Sequence, residues 1–163
     1  QVDADGQHDL RDIPSLLALS KEHPYAVISG LPVFENVPAI RYYGRYLTHV
    51  WVWINTLSTE IQDGMCGFRI YPLEASLKII GNQRLGNHMD FDTEILVRLH
   101  WTGLKVVHFP TVVTYPSDGV SHFRAFQDNV LISWMHTRLF FGMLWRLPKL
   151  LKRFTIRQDV SRD

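Results

Sequence analysis

The sequence predicts an α/β fold, a mostly parallel sheet flanked by helices, and three observations carry that prediction. Short apolar runs bounded by Pro and Gly, such as 25–29 between Pro24 and Gly30, read as buried strands. Segments with apolar residues at helical spacing alternate with these runs, and no stretch repeats another. The 163 residues, 46% hydrophobic and 20% charged, suit one domain with its own core and are far from disordered composition.

In chain order, residues 1–5 read as a strand end running into a loop. Asp12 offers an N-cap with Pro14 in the first turn, so a short helix over 12–23 is expected, carried by Leu16, Leu17 and Leu19. A strand over 25–29 and a loop over 32–38 follow. From Pro38 a long helix reaches about residue 60, with Arg41 and Arg45 four apart and Tyr42, Tyr46, His49 and Trp53 along one side. The stretch 63–67 is turn chemistry, 68–71 a short extended piece, and 73–80 a helix closed by Gly81. A helix over 92–101, apolar at Ile95, Leu96 and Leu99, stops at Gly103. Strands over 106–109 and 111–115 are interrupted by Pro110, which marks an edge strand or a bend there, and a strongly apolar helix over 123–147 is expected to end at Pro148.

Net charge is only +1, but it is unevenly spread. Asp3, Asp5, Asp9 and Asp12 crowd the front of the chain against Arg11 alone, which suits a cation. At the rear, Arg124, Arg138, Arg146, Lys149, Lys152, Arg153 and Arg157 face one acid, Asp128, which suits phosphate or an anionic membrane surface. The single cysteine, Cys66, excludes an internal disulfide and a cysteine-rich zinc site, and fits a reducing compartment. With no neighbouring histidine or lysine in sequence, it reads as a small packed residue rather than a nucleophile. The opening, Gln-Val-Asp-Ala-Asp without Met, reads as the end of a strand whose beginning lies upstream. The chain is therefore expected to be a piece of a longer protein, lacking its first strands and inactive alone.

The sharpest chemical signal is Asp3-Ala4-Asp5-Gly6-Gln7-His8. Two carboxylates at i and i+2, followed by an amide, can converge where the chain turns. Oxygen ligands of this kind, Asp3, Asp5 and Gln7, suit Mg²⁺ or Mn²⁺, which can bridge a diphosphate and neutralise a leaving group. A bare Asp-x-Asp is also what a solvated acidic loop looks like. The other histidines show no zinc-ligand spacing and read as structural.

Taken in order, Asp-Ala-Asp-Gly-Gln-His (3–8), Cys-Gly-Phe-Arg-Ile-Tyr (66–71) and Asp-Phe-Asp-Thr-Glu-Ile-Leu-Val-Arg-Leu (90–99), with Gly103, Pro110 and Tyr115, resemble the family 2 glycosyltransferases of GT-A fold. The resemblance is to the branch near the polyprenyl-phosphate (dolichol-phosphate-type) mannosyltransferases, and it covers essentially the whole chain. It implies a Rossmann-like GT-A domain over 1–121 and a helical extension over 122–163. It also implies inverting transfer of a sugar from a nucleoside diphosphate sugar to a lipid-linked or polyprenyl acceptor, at the cytoplasmic face of the cell membrane. On this resemblance Asp3, Asp5 and Gln7 hold the metal and the donor diphosphate, while Gly67, Phe68 and Arg69 shape the acceptor side.

Asp92 falls where hydroxyl-glycosylating relatives carry a base, although Phe91 stands where they have a further acid. Asp90 is the rival base, and Glu94 is expected to point along the helix. As a plain structural residue, Asp92 would be the N-cap of the 92–101 helix, a role compatible with catalysis. Arg69 can pair a phosphate or an internal carboxylate. Residues 117–124 stand where the mannosyltransferase-like members carry a phosphate-reaching Arg-x-x-Gly-x-Ser-Lys. Gly119 and Ser121 match, Asp118 is near the expected Arg, and His122 replaces Lys, with Arg124 beyond. His122 reads as a phosphate donor, a late metal ligand or a locally bonded loop histidine.

On the rear helix, Arg138, Gly142, Arg146 and Lys149 share a narrow arc, and Trp134, Leu139, Phe140, Phe141 and Leu144 cover most of the rest. The arginines argue against a transmembrane span. An interfacial helix bordered by a basic stripe and a helix packed in the core both fit. Two other classes remain: a nucleotidyltransferase with similar metal-and-diphosphate chemistry, and a non-enzymatic basic scaffold domain. The apolar filling between the basic residues is wrong for a phosphate-tracking face, so no nucleic-acid partner is expected.

Overall fold

Val27, Ile28 and Ser29 are sealed from solvent, and the strand that carries them, β1 (Val27–Phe34), is the middle strand of the sheet. The computed structural model describes residues 1–34, 39–114 and 124–160. Within them lie α1 (Ile13–Glu22), β1, α2 (Ala39–Thr56), β2 (Arg69–Ile70), α3 (Leu73–Asn82), α4 (Phe91–Thr102), β3 (Val106–Val113) and α5 (Ala125–Val160). A 3-10 turn at Leu10–Asp12 leads into α1.

The protein is α/β, and its three-stranded sheet is mixed rather than mostly parallel. β3 pairs parallel with β1 along its whole length, Val27 opposite Val106 through Phe34 opposite Val113. β2 pairs antiparallel with β1 at Ile28 and Ser29 only. Neighbouring residues of a strand face opposite sides. Val27 accordingly joins the larger core, with Val52, Ile61, Ile79, Ile95, Leu96, Leu99, Met135 and Leu139 from α2, α3, α4, α5 and their connections. Ile28 joins a smaller core with Leu16, Ala26, Cys66 and Phe68 on the α1 side.

Several expected boundaries move, for physical reasons. β1 runs through Pro32 to Phe34 because β2 covers only its first half, leaving one side of the later residues free of ladder partners. Pro110 does not divide β3 into two strands; of the two alternatives expected there, the edge strand is the one found. α2 stops at Thr56 rather than near residue 60, because Leu57 takes a left-handed conformation (φ 50°) and Trp53 Nε1 bonds the Ile61 carbonyl at 2.9 Å, folding the chain back. α3 continues through Gly81 to Asn82. α4 ends as expected at Gly103, whose φ of 110° calls for glycine.

α5 does not end at Pro148. The lost hydrogen bond there is outweighed by anchors on either side: Arg146 over the Trp101 ring at 4.7 Å, Leu150 in the core, and Arg153 Nη1 on the His100 carbonyl at 3.0 Å. The basic arc of α5 is likewise not a free border. Arg138 bonds Glu94 at 3.0 Å, Gly142 lies against Trp101, and Arg153 reaches the end of α4. Of the expected border, Arg138, Arg146, Lys149 and Arg153, only Lys149 is exposed, and Lys152 nearby is exposed as well. Among the described residues no helix is long and apolar enough to cross a membrane.

Candidate functional site

The segment 1–8 lies across the sheet and fastens to both of its edges. Gln1 exchanges backbone hydrogen bonds with Arg69, its N donating at 2.8 Å and its carbonyl accepting at 3.1 Å. At the other edge His8 bridges Val113, and Thr114 N donates to the Gln7 carbonyl at 3.1 Å. Between these anchors the chain turns through Gly6 at φ 71°, and the Asp5 carboxylate closes the turn by accepting from Gln7 N at 3.1 Å.

This path sets Asp3 directly against Gly67, where a side chain would collide with its carboxylate. Phe68, buried in the smaller core, stacks beneath His8 at 5.1 Å between ring centroids. His8 Nε2 is 3.9 Å from the Asp3 carboxylate. His8 holds the Asp3 carboxyl below the ordinary carboxylate range against the effect of partial burial, with Gln1 and Arg69 acting in the same direction. Asp3 is thus ionised and still open to solvent, whereas Asp5 is exposed.

Asp92, 89 positions from Asp3 in the sequence, reaches the same place. Gln1 Nε2 donates to Asp92 Oδ1 at 2.6 Å, and Gln1 also helps to lower the Asp3 pKa, so one residue bears on both acids. Asp92 is not the cap of α4. Asp90 occupies that position, and Asp92 sits in the first turn with its carboxylate turned to Gln1. Asp90 is buried, accepts from His88 N at 3.3 Å and packs on Gly86, so it serves the turn before α4.

Among the described residues Arg69 forms no ion pair with a side-chain carboxylate. Only 1% exposed, it donates through Nη1 to Tyr71 Oη at 3.1 Å and to the Asp92 carbonyl at 2.5 Å, and its Nε and Nη2 have no partner. Burial works against its charge, but Tyr71 and Asp92 raise its pKa all the same. Its buried charge lies under Asp3 and Asp92 and acts on both carboxylates from below.

The turn presenting Gly67 is itself fastened by Asp63. Its carboxylate accepts from Met65 N and Cys66 N, both at 2.8 Å, and from Arg45 Nε at 2.6 Å, with His49 Nε2 at 3.2 Å. Burial alone would raise its pKa; His49 and Arg45 outweigh burial and keep it ionised. Burial pushes the Cys66 thiol up to about 11, consistent with a packed residue.

The remaining expected residues are not gathered here. Arg124 is exposed and lines a separate cavity of about 480 Å³ with Asn87, His88, Phe126, Gln127, Val130 and Leu131. His122, Gly119, Ser121 and Tyr115 lie outside the described residues. Glu94 does not point along its helix surface. It is fully buried, bonded to Gly86 N at 2.8 Å, Arg98 at 2.6 Å and Arg138 at 3.0 Å.

Three contributors escaped the sequence reading. Gln1 stands outside the acidic motif, and nothing local marks it. His8 was part of the motif but had no assigned role. Asp63 was visible only as turn chemistry, although Arg45 and His49, four apart on α2, were a signal that a carboxylate faced them.

Among the described residues no group of three or more His, Cys, Asp or Glu side chains is placed to hold a metal ion. A Mg²⁺-type site takes one or two carboxylates and completes its shell with water and phosphate oxygens. The open, ionised Asp3 and the exposed Asp5 fit that smaller donor set, with His8 behind Asp3 to orient it. Comparison with protein-family models, with curated proteins and with solved structures finds no match to this chain.

Proposed function

We propose that the chain belongs to an inverting glycosyltransferase of family 2 type and GT-A fold, moving a sugar from a nucleoside diphosphate sugar to a lipid-linked or membrane-borne acceptor. The observation that carries this reading is that Gln1 bonds Asp92 and acts on Asp3, with Asp3 against Gly67 and Arg69 on the Asp92 backbone. An acid at a chain turn and an acid on a distant helix are brought to one residue, as diphosphate departure and acceptor attack require.

Mg²⁺ or Mn²⁺, held by Asp3 and Asp5 with Gln7 nearby, would supply charge neutralisation of the departing diphosphate. Asp92 accepts the acceptor hydroxyl's proton while that oxygen bonds the anomeric carbon. The bond to the diphosphate breaks, its electron pair leaves with the phosphate oxygen, and a single displacement inverts the centre. Gln1 holds the Asp92 carboxylate in place. Arg69, sealed beneath, supplies positive charge under the site and holds the Asp92 backbone. If that acceptor is a phosphate, it is already anionic and Asp92 has no proton to take.

The test is calorimetry of nucleoside diphosphate binding in Mn²⁺ and in chelator, for the unaltered protein and for Asp3→Ala and Asp5→Ala. Metal-dependent binding that both substitutions weaken is expected. Binding indifferent to chelator and to both substitutions would remove the diphosphate site and the reading with it.

A further inference from the structure

We propose that α2 and α5 together form one docking face for an anionic lipid bilayer, with α2 supplying its uncharged half. The sequence offered such a role to α5 alone, bordered by Arg138, Arg146, Lys149 and Arg153, beside a reading as a core helix. The fold instead turns Arg138, Arg146 and Arg153 toward α4, so the border cannot be theirs. What lies open is different in kind.

From Tyr43 onward, the exposed positions of α2 are Tyr43, Gly44, Tyr46, Leu47, Trp51 and Ile54, with no charged side chain among them. The charged groups of this stretch, Arg45 and His49, turn inward to Asp63. An exposed helix face without a charge over three turns is the reverse of a solvated one. On α5 the exposed face carries Trp134, Phe141, Leu144 and Trp145, the last 87% exposed. The two faces join through rings. Trp51 stacks on His136 at 5.9 Å and meets Phe140 edge-on at 6.5 Å, and Phe140 meets Phe141 at 5.9 Å.

Charge selects the occupant. Lys149 and Lys152 are exposed beside Trp145, and among the described residues neither helix exposes an acid. A protein partner is ordinarily met by a rim of mixed polarity. Tyrosines and tryptophans with polar tips, aliphatic residues between them and lysines of one sign match the headgroup layer of an anionic bilayer. Two helices lying side by side also give an area that can rest in a plane. The proposal deepens the transferase reading by locating its membrane contact, and rests on it only for purpose. Binding is measured without turnover, so either can fail alone.

The experiment is vesicle co-sedimentation of the full chain, on phosphatidylcholine alone and with phosphatidylglycerol added, with tryptophan emission as a second readout. Leu47→Glu on α2 and Trp145→Glu on α5, both at exposed positions, are each expected to lower partitioning about tenfold or more with unchanged circular dichroism. Lys149→Gln and Lys152→Gln are expected to cost roughly fivefold each on anionic vesicles only. The proposal is overturned if the unaltered protein binds neither vesicle. It is equally overturned if Leu47→Glu binds normally while Trp145→Glu does not, which leaves α5 alone. Sedimentation as a dimer that Leu47→Glu dissociates, without vesicle binding, would make the face a contact between copies.

Discussion

Gly67→Ala isolates the geometry on which the candidate site depends. A methyl group at Gly67 would lie well inside 3.0 Å of both carboxylate oxygens of Asp3, a distance real side chains do not reach. Gly67 is not in the left-handed region, so alanine brings no backbone strain. The colliding atoms are the end of a flexible side chain, and the carboxylate can swing clear. The fold should therefore lose less than about 1 kcal/mol, within the range of substitutions that neither bury a polar group nor open a cavity. The carboxylate, however, must move by about 1 Å, a displacement that can cost ~10²-fold when it misplaces a functional group. It also leaves the neighbourhood of His8 that keeps it ionised. Calorimetry with nucleoside diphosphate and Mn²⁺ should show affinity reduced by about one to two orders of magnitude, while urea unfolding is nearly unchanged. Full affinity in a folded Gly67→Ala protein would mean that the Asp3 carboxylate at Gly67 does not hold the ligand.

Asp92→Asn, in a protein complete enough to turn over, should lower kcat by about 10²-fold or more with donor affinity little changed, because a base acts in the transition state; a loss confined to KM would leave Asp92 a binding residue. Glu94→Ala strands Arg98 and Arg138 in a largely buried setting and should destabilise by about 3 kcal/mol in urea unfolding; a loss below about 1 kcal/mol would show that water replaces the carboxylate. Burial lowers the His136 pKa from 6.5 to about 4, so the folded state resists protonation. The stability this represents is present above about pH 6.5 and lost as pH falls toward 4, at most about 3 kcal/mol. His136→Gln should flatten stability between pH 6.5 and 4, and an unchanged slope would assign the titration to other groups.

The sequence by itself determined the class of the fold and the order of its elements. Apolar runs and helical spacing depend on local side-chain direction, and that is written residue by residue. It also singled out the Asp3–Asp5 turn, the glycine at 67 and the acid at 92, because short chemistry-bearing motifs are local. The ends of elements were less legible. Pro32 and Pro148 read as breaks, yet the first stands where a strand edge is free and the second lies between tertiary anchors, while Pro110 marks an edge strand as one of its two readings had it. Only the tertiary structure decided what pairs with what. Asp90 and Asp92 are two residues apart on one helix start, and their different roles arise because one meets the 86–88 turn and the other meets Gln1. The arginines of α5 read as a surface stripe because a helical wheel has no partner drawn on it. Glu94, Trp101 and the carbonyl end of α4 draw them inward and leave the open face to aromatic residues and two lysines. Long-range electrostatic pairing depends on distances between elements, and no local spacing in a sequence encodes those distances.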